Sequence, residues 1–328
     1  MISILIGTIA CSLLGLMVQW MAFLIVFLIA KVGFSASLIF YDSMLSDITD
    51  EERMDYVSSQ GYAWGYIGSC VPFVLCLVIV LGSDPLGIRM ETAMGIAFVL
   101  VAVWWLLMSL PLLKNYEQKY YVEKKPHAIA QSFKRLGETF KNMKEEKQVF
   151  MFLLAFFFYI DGVYTIIDMA TAYGSALGLD STGLLLALLV TQIVAFPCAI
   201  IFGNLSYRIR TEKLIIVCIF AYLGIAIFAV FLKTQFQFWI LAILVGMFQG
   251  GIQALSRSYF TKIIPEEHSG EYFGLMDICG KGASFVGTTI VSIVSQLTGN
   301  ISMGVGMIAI LFCIGIVIFL KAVSMSRN

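Results

Sequence analysis

The sequence predicts an all-α protein that crosses a lipid bilayer many times. Hydrophobic residues make up 60% of the 328 residues and charged residues 13%, and the mean hydropathy is +0.91. A typical soluble domain carries about 25% charged residues. Apolar runs of the roughly 20 residues that one helical crossing requires recur along the whole chain. Water is therefore not the main solvent of this protein.

Ten hydrophobic segments separated by polar breaks are predicted to be membrane helices. We expect them near residues 2–18, 20–45, 60–82, 91–113, 148–173, 181–205, 213–233, 236–256, 271–297 and 302–323. The first two segments are separated only by Gln19 and Trp20. The other segments have distinct polar breaks.

The segment between the fourth and fifth helices, residues 114–147, is polar and basic. It holds nine Lys or Arg against five acidic residues, and the positive-inside rule places it in the cytoplasm. Its apolar side chains recur at steps of three and four, namely Ile129, Phe133, Leu136, Phe140 and Met143. This spacing predicts an amphipathic helix that either lies on the cytoplasmic leaflet or forms a solvated linker.

Two segments of the chain resemble each other, one beginning at Gly33 and the other at Gly251. Within them Ala36 matches Ala254, and an acidic loop and a glycine-rich helix follow in both. The copies lie on the second and eighth helices, and an even offset gives both the same orientation. The sequence therefore predicts a parallel repeat with a unit of six helices.

The repeat predicts three parts of the chain. We expect an N-terminal helix bundle at 1–113, a cytoplasmic linker with the amphipathic helix at 114–147, and a C-terminal six-helix bundle at 148–328. The first bundle has about four helices and is incomplete against a six-helix unit. About ten of twelve helices are then expected, the first two being absent.

Four local strings add a resemblance to a known family: FYDSMLSDI at 40–48, GYAWGYIG at 61–68, FYIDGVYT at 158–165 and QALSRSYFTKIIP at 253–265. They are similar to the vacuole effluxer family of the major facilitator superfamily, which includes autophagy-related amino-acid effluxers and bacterial relatives. The resemblance implies the major facilitator fold of two six-helix bundles. It also implies a secondary transporter that moves a small polar solute by alternating access, with amino acids as the candidate solute class.

Ionisable side chains at membrane depth are the first candidates for a functional site, because each costs at least about 2.5 kcal/mol to insert. Asp161 and Asp168 lie seven residues apart and share a helical face with Tyr164. By the resemblance, the helices of Lys31 and Asp161 match the fourth and seventh helices of the full fold, which line its central cavity. Lys31 and Asp161 are then expected to bind substrate or a coupling proton, with Asp168 nearer the outer mouth. The alternative role is an ion pair that locks the bundles.

A second group of candidates is either paired or uncharged. Asp277 and Lys281 are four residues apart on one helix, which predicts a structural ion pair. Gln192, Gln249 and Gln253 offer uncharged hydrogen bonds to a solute or to another helix. The resemblance favours Gln249 and Gln253, because their helix matches the tenth of the full fold, which also lines the cavity.

Several function classes find no support in the sequence. The net charge is zero, so no basic field favours nucleic acid. The two histidines lie far apart and the seven cysteines are scattered singly, so we expect no metal site, no cofactor and no enzyme activity. The phosphate-binding loop of ATPases is also missing, which leaves a proton or sodium gradient as the energy source unless the protein simply equilibrates its solute.

The predicted partners are a small-molecule solute, the lipid bilayer and a coupling ion, and we expect a monomer. The predicted location is the cell membrane with many passes, or the vacuolar membrane if the source is eukaryotic. Two alternatives stay open at this point. One is a truncated remnant that does not transport, and the other is a ten-helix transporter of another superfamily.

Overall fold

The computed structural model describes residues 1–85, 87–120, 137 and 146–325. Over these ranges ten apolar helices follow one another in the predicted order: α1 Ile2–Leu13, α2 Trp20–Ser43, α3 Met54–Leu81, α4 Met90–Asn115, α5 Lys147–Ala176, α6 Ser181–Leu205, α7 Thr211–Val230, α8 Gln235–Ile263, α9 Ser269–Thr298 and α10 Ile301–Met325. Among the described residues, nine helices are long and apolar enough to cross a membrane, and the stretch Ile2–Leu16 that contains α1 is shorter. The predicted all-α multispanning class is confirmed.

Two helices extend into polar sequence that the hydrophobic pattern had left outside them. α3 begins at Met54 rather than near residue 60, and α8 continues to Ile263 rather than ending near residue 256, so both predicted ends were wrong. The added turns carry buried polar side chains, namely Asp55, Ser58 and Ser59 in α3 and Arg257, Ser258 and Thr261 in α8. Hydrogen bonds between the two helices satisfy several of these groups, which lets a polar turn continue a helix inside the protein.

Contacts divide the chain into two compact units. One consists of Met1–Asp47 and Ile67–Lys119, and the other of Ile48–Tyr66 and Tyr120–Asn328. α3 therefore contributes residues to both units. The predicted bundle limits at 113 and 148 stay a prediction. The predicted amphipathic helix over 129–143 lies outside the described residues, apart from residue 137.

The packing partners of α1 recur six helices later. In the first unit α1 packs against α2 and α4, and in the second unit α7 packs against α8 and α10. The α1–α2 crossing is close, because a Cβ on Gly33 would lie 2.7 Å from the backbone nitrogen of Gly7. The same pairing at the same offset supports a parallel repeat of six helices.

α5 forms the centre of the second unit. It packs against α9 and α10 and also contacts α6, α7 and α8. Phe152 stacks on Phe260 of α8, and Tyr159 meets Phe319 of α10 edge to face. The Tyr159 hydroxyl also lies 2.7 Å from Ser256 Oγ. This buried aromatic packing holds α5 in place and fixes the residues that follow along it, including Asp161.

Candidate functional site

A small cavity lies among α5, α6 and α8 in the second unit. Its volume is about 50 Å³. It is lined by Ile166, Ile167 and Ala170 of α5, Leu188, Thr191 and Gln192 of α6, and Phe238, Leu241, Ala242, Val245 and Gln249 of α8. Within the described part of the chain, none of these lining residues carries a charge. A largely apolar wall with a few polar groups is typical of sites for small molecules.

Two glycines of α8 bring this helix against α6. A Cβ on Gly246 would lie 2.6 Å from the carbonyl oxygen of Thr191, and one on Gly250 would lie 2.7 Å from the Ala199 Cβ. The GxxxG spacing of these glycines is thus used for a close helix crossing. Gln249 directly precedes Gly250. The crossing brings it to the same cavity as Gln192.

Gln192 and Gln249 bring amide groups to the cavity. Gln249 is only 6% exposed, and in the described structure the Oε1 atoms of both residues are buried and accept no hydrogen bond. The Thr191 hydroxyl is engaged elsewhere, since it donates to backbone carbonyls at 3.0 and 3.2 Å. A buried acceptor without a donor costs about 1–3 kcal/mol. Both oxygens therefore lack a donor among the described residues, and the two glutamine side chains bring polar groups to an otherwise largely apolar wall.

Tyr66 of α3 joins the two predicted glutamines of α8. Its hydroxyl donates to Gln253 Oε1 across 2.9 Å, and the Gln249 side chain lies close enough to interact with the same hydroxyl. Gln249 and Gln253 lie four residues apart and so share a helical face. The structure thus brings both predicted glutamines to one tyrosine, Tyr66, which was not predicted as a site residue.

Asp161 is completely buried on α5. Its Oδ1 atom accepts a hydrogen bond from Thr165 Oγ1 at 3.1 Å and one from the Gly287 backbone nitrogen at 3.0 Å. Its Oδ2 atom is buried and has no hydrogen-bond partner among the described residues. A carboxyl group in this setting can hold a proton on Oδ2 while Oδ1 stays bonded. Asp161 does not line the cavity of the two glutamines.

Asp168 and Tyr164 lie on the same side of α5 as Asp161, toward α9. Asp168 is exposed and accepts a hydrogen bond from Ser284 Oγ at 3.0 Å. The Tyr164 ring lies beside Gly280, where an added Cβ would be 3.3 Å from a ring carbon. The three predicted residues therefore face α9, and only Asp161 is fully buried.

The remaining predicted residues lie apart from these groups. Lys31 is exposed on α2 of the first unit, with its Nζ atom 5.7 Å from the centre of the Phe34 ring. Asp277 and Lys281 form an ion pair within α9, and both side chains are partly exposed. A shared cavity for Lys31 and Asp161 stays a prediction.

A buried polar cluster at the start of α3 was not predicted from the sequence. The Asp55 carboxylate pairs with Lys262 Nζ at 2.8 Å and accepts hydrogen bonds from Ser258 Oγ at 2.5 Å and Thr211 Oγ1 at 2.6 Å. Asp55 is 6% exposed. Lys262 lies beyond the predicted end of α8 near residue 256, within the polar turns that the hydrophobic pattern left outside the helix.

Arg257 forms the second part of this cluster. It is 4% exposed, donates from Nε to Ser58 Oγ at 2.9 Å and from a terminal nitrogen to the Ser58 carbonyl at 3.0 Å. Its guanidinium lies 4.9 Å from the centre of the Tyr62 ring. The cluster thus ties α3 to α7 and α8 through groups more than 150 residues apart in sequence.

The whole chain, residues 1–328, matches the family model described as vacuole effluxer Atg22 like. An uncharacterised MFS-type transporter of Bacillus subtilis, YxiO, is 45% identical over 302 residues, which cover 92% of this chain and 71% of that protein. Autophagy-related protein 22 of Botryotinia fuckeliana is 25% identical over 303 residues, which cover 83% of this chain and 50% of the fungal protein. The chain thus spans about half the length of this fungal relative.

Solved structures of similar fold agree with these matches. The Escherichia coli fucose:proton symporter FucP superposes with a TM-score of 0.70 at 15% identity, over 98% of this chain and 83% of that one. A bacterial homologue of the iron transporter ferroportin, in an outward-facing state, gives a TM-score of 0.67 at 16% identity over 98% and 83%. At such low identity the likeness shows the fold alone. The fold is that of the major facilitator superfamily.

Proposed function

The chain belongs to the vacuole effluxer Atg22-like family, and from that premise we propose that it is a secondary transporter that moves a small polar solute by alternating access. Because the chain belongs to this family, the alternative interpretation as a ten-helix transporter of another superfamily is excluded. The similar proteins are named as transporters, and enzyme activity is not part of the proposal.

The observation that carries the proposal is the pair of glutamine side chains, Gln192 and Gln249, that line the cavity among α5, α6 and α8. Two acceptors without donors, on Gln192 and Gln249, are costly in an apolar interior. Packing alone would favour apolar side chains at these positions, whereas a passing polar solute gives both amide groups a use. Tyr66 and Gln253 continue the polar surface next to Gln249.

Amino acids are the solute class in this proposal. The resemblance of the four local strings to amino-acid effluxers first suggested this class, and the family description names an effluxer. An amino acid carries several hydrogen-bond donors and needs polar partners at membrane depth. The uncharged amides supply such partners without adding a buried charge.

Proton coupling through Asp161 is the second part of the proposal. Its buried carboxyl has one bonded and one unbonded oxygen, and Asp161 forms no ion pair within the described ranges. Among the described residues, Asp161 accepts hydrogen bonds only from Thr165 and Gly287. The other ionisable side chains on α5 and on the helices packed against it include Tyr159, Tyr164, Asp168, Tyr222, Asp277 and Lys281. A proton gained on one side of the membrane and lost on the other would couple solute movement to a pH gradient.

Lys31 on α2 and Asp168 on α5 are, in this proposal, further ionisable groups that bind the solute or a coupling proton. We assign the protein to the cell membrane, or to the vacuolar membrane in a eukaryotic cell, and to a monomeric state. Cross-linking in native membranes followed by denaturing electrophoresis tests the monomer, since a dimer band would contradict it.

The experiment that tests the function is transport by the purified protein in sealed liposomes. Uptake and efflux of a panel of labelled amino acids should exceed those of empty liposomes, and an imposed pH gradient should change the rate. Folding is checked first by gel filtration and a cooperative thermal transition. A folded protein that moves no member of the panel in either direction would instead favour a remnant that does not transport amino acids.

A further inference from the structure

A larger cavity, of about 470 Å³, lies in the first unit between the end of α1 and the start of α4. It forms where Gly15, just beyond α1, meets Gly95 of α4. A Cβ on Gly15 would overlap the Gly95 Cα, so the two backbones touch at these glycines. Both glycines line the cavity, and neither has a side chain to fill it. The volume is in the range of sites that bind small molecules.

The cavity extends from the surface of the membrane toward its interior. The positive-inside rule places the basic segment 114–147 in the cytoplasm, so α4 begins at the outer face. Arg89 and Glu91 then lie at the level of the lipid headgroups. Ile96 and Val99 follow on one face of α4, and Val99 lies about 12 Å deeper than Glu91 at 1.5 Å per residue. The cavity thus joins the headgroup region to the hydrocarbon core.

The mouth of the cavity carries two opposite charges. Arg89 and Glu91 both line it and are exposed, and neither forms an ion pair with a described residue. Below them the wall is apolar, with Leu16 of the first segment opposite Ile96 and Val99 of α4. A molecule that fills this cavity must therefore offer an anion, a cation and an apolar chain, in this order of groups from the surface inward or with the two charges side by side.

A phospholipid with an ethanolamine headgroup has these three parts. Its phosphate matches the Arg89 guanidinium, and its ammonium can donate hydrogen bonds to the Glu91 carboxylate. The quaternary ammonium of a choline headgroup has no N–H group and is typically bound by aromatic side chains. None of the described residues that line this cavity is aromatic. An anionic headgroup without an ammonium would leave Glu91 without a partner.

We propose that this cavity is a lipid site that binds phosphatidylethanolamine from the outer leaflet. Arg89 binds the phosphate, Glu91 binds the ammonium, and an acyl chain lies along Ile96 and Val99. The site goes beyond the proposed function, because it concerns the lipid that binds the first unit and does not depend on which solute the protein moves.

The test measures lipid binding to the purified full chain by native mass spectrometry. Phosphatidylethanolamine and phosphatidylcholine with identical acyl chains are added at equal concentration, so their comparison isolates the ammonium. The wild-type protein should retain phosphatidylethanolamine at least about threefold more tightly, as expected for one partly exposed ion pair. Glu91→Gln should remove this preference. Arg89→Gln should weaken the binding of both lipids by a similar factor, because both carry the phosphate.

The ratio of the two lipids is the appropriate measure for Glu91→Gln. Glu91 lies in the first turn of α4, where an acidic side chain also stabilises the helix, and a general loss of stability would not change that ratio. Asp84→Asn and Lys233→Gln are the matched controls, since both residues are exposed in loops at the same face of the membrane and do not line the cavity. Both controls should bind the two lipids as the wild-type protein does.

Three results would overturn the lipid site. One is equal binding of the two lipids to the wild-type protein, and another is a preference for phosphatidylethanolamine that survives Glu91→Gln. The third is binding of both lipids that Arg89→Gln leaves unchanged. None of these results bears on the proposed transport, which is measured separately in liposomes.

Discussion

The backbone nitrogen of Gly287 on α9 donates a hydrogen bond to Oδ1 of Asp161 on α5, across 3.0 Å. Only a residue without a side chain allows this approach, because a Cβ on Gly287 would lie 2.2 Å from Asp161 Oδ1 and 2.2 Å from Thr165 Oγ1. The contact fixes one carboxyl oxygen and leaves the other without a partner in the described structure. The geometry of the proposed proton site thus depends on a glycine of the neighbouring helix.

The first prediction concerns Gly287→Ala. The added methyl group must displace the Asp161 carboxyl or move α9 away from α5, and overpacking of this kind costs about 1–3 kcal/mol. We expect a lower thermal transition temperature in detergent, measured by intrinsic fluorescence. Gly282→Ala is the matched control on the same helix, because a Cβ there meets no atom within 4 Å. Equal stability of the two variants would contradict the packing described here.

The second prediction concerns Asp161→Asn and depends on the proposed transport. An asparagine retains an acceptor for Gly287 and Thr165 but cannot take up and release a proton. Transport should become insensitive to an imposed pH gradient or cease, while the thermal transition stays within a few degrees of wild type. Initial rates in liposomes across a pH series measure this effect.

Asp84→Asn is the control for this variant, because Asp84 is exposed in the loop before α4. It should retain the wild-type pH profile. An Asp161→Asn protein with a normal rate and a normal pH profile would exclude Asp161 as the coupling group.

The third prediction concerns the buried cluster around Asp55. Asp55→Ala leaves Lys262 without its counter-ion and removes the acceptor of Ser258 and Thr211. Loss of one partner of a buried ion pair costs about 3–5 kcal/mol, so we expect a large fall in thermal stability. Asp50→Ala is the control, because Asp50 is exposed and its side chain caps no helix.

A double variant separates the ion pair from general disruption. Replacing a buried pair with apolar residues is often nearly neutral, so Asp55→Leu with Lys262→Met should be more stable than Asp55→Leu alone. Thermal unfolding of the four proteins in the cycle measures this difference. Additive losses would show that the ammonium of Lys262 finds other partners when the carboxylate is gone.

The sequence predicted the helices well where an end is determined locally. The predicted and observed bounds of α6 coincide at 181–205, since Asp180 caps the helix by accepting a hydrogen bond from Gly183 N at 2.6 Å. The ends of α3 and α8 depend instead on bonds between Asp55 and Ser258, 203 residues apart. No local pattern contains that information, so the hydrophobic pattern began α3 too late and ended α8 too early.

The candidate site shows the same limit. Charge at membrane depth was enough to select Asp161, because a buried carboxyl is costly wherever it points. The orientation of the Asp161 side chain toward Gly287 depends on how α5 packs on α9. The spacing of Asp161 and Asp168 in the sequence does not determine that packing. Gln192 was noted as a polar residue, but only the α6–α8 crossing shows that it shares a cavity with Gln249.

The final prediction concerns the hydrogen bond from Tyr66 to Gln253. Tyr66→Phe removes the donor to Gln253 Oε1, and Gln253→Met removes the acceptor, so the two changes should not be additive. The coupling energy from thermal or chemical unfolding of the cycle should be about 0.5–1.5 kcal/mol. Tyr207→Phe combined with Gln253→Met is the control cycle, since Tyr207 is exposed and its ring contacts Tyr56. That control should show no coupling, and an equal value in both cycles would mean that the Tyr66 hydroxyl contributes nothing specific at Gln253.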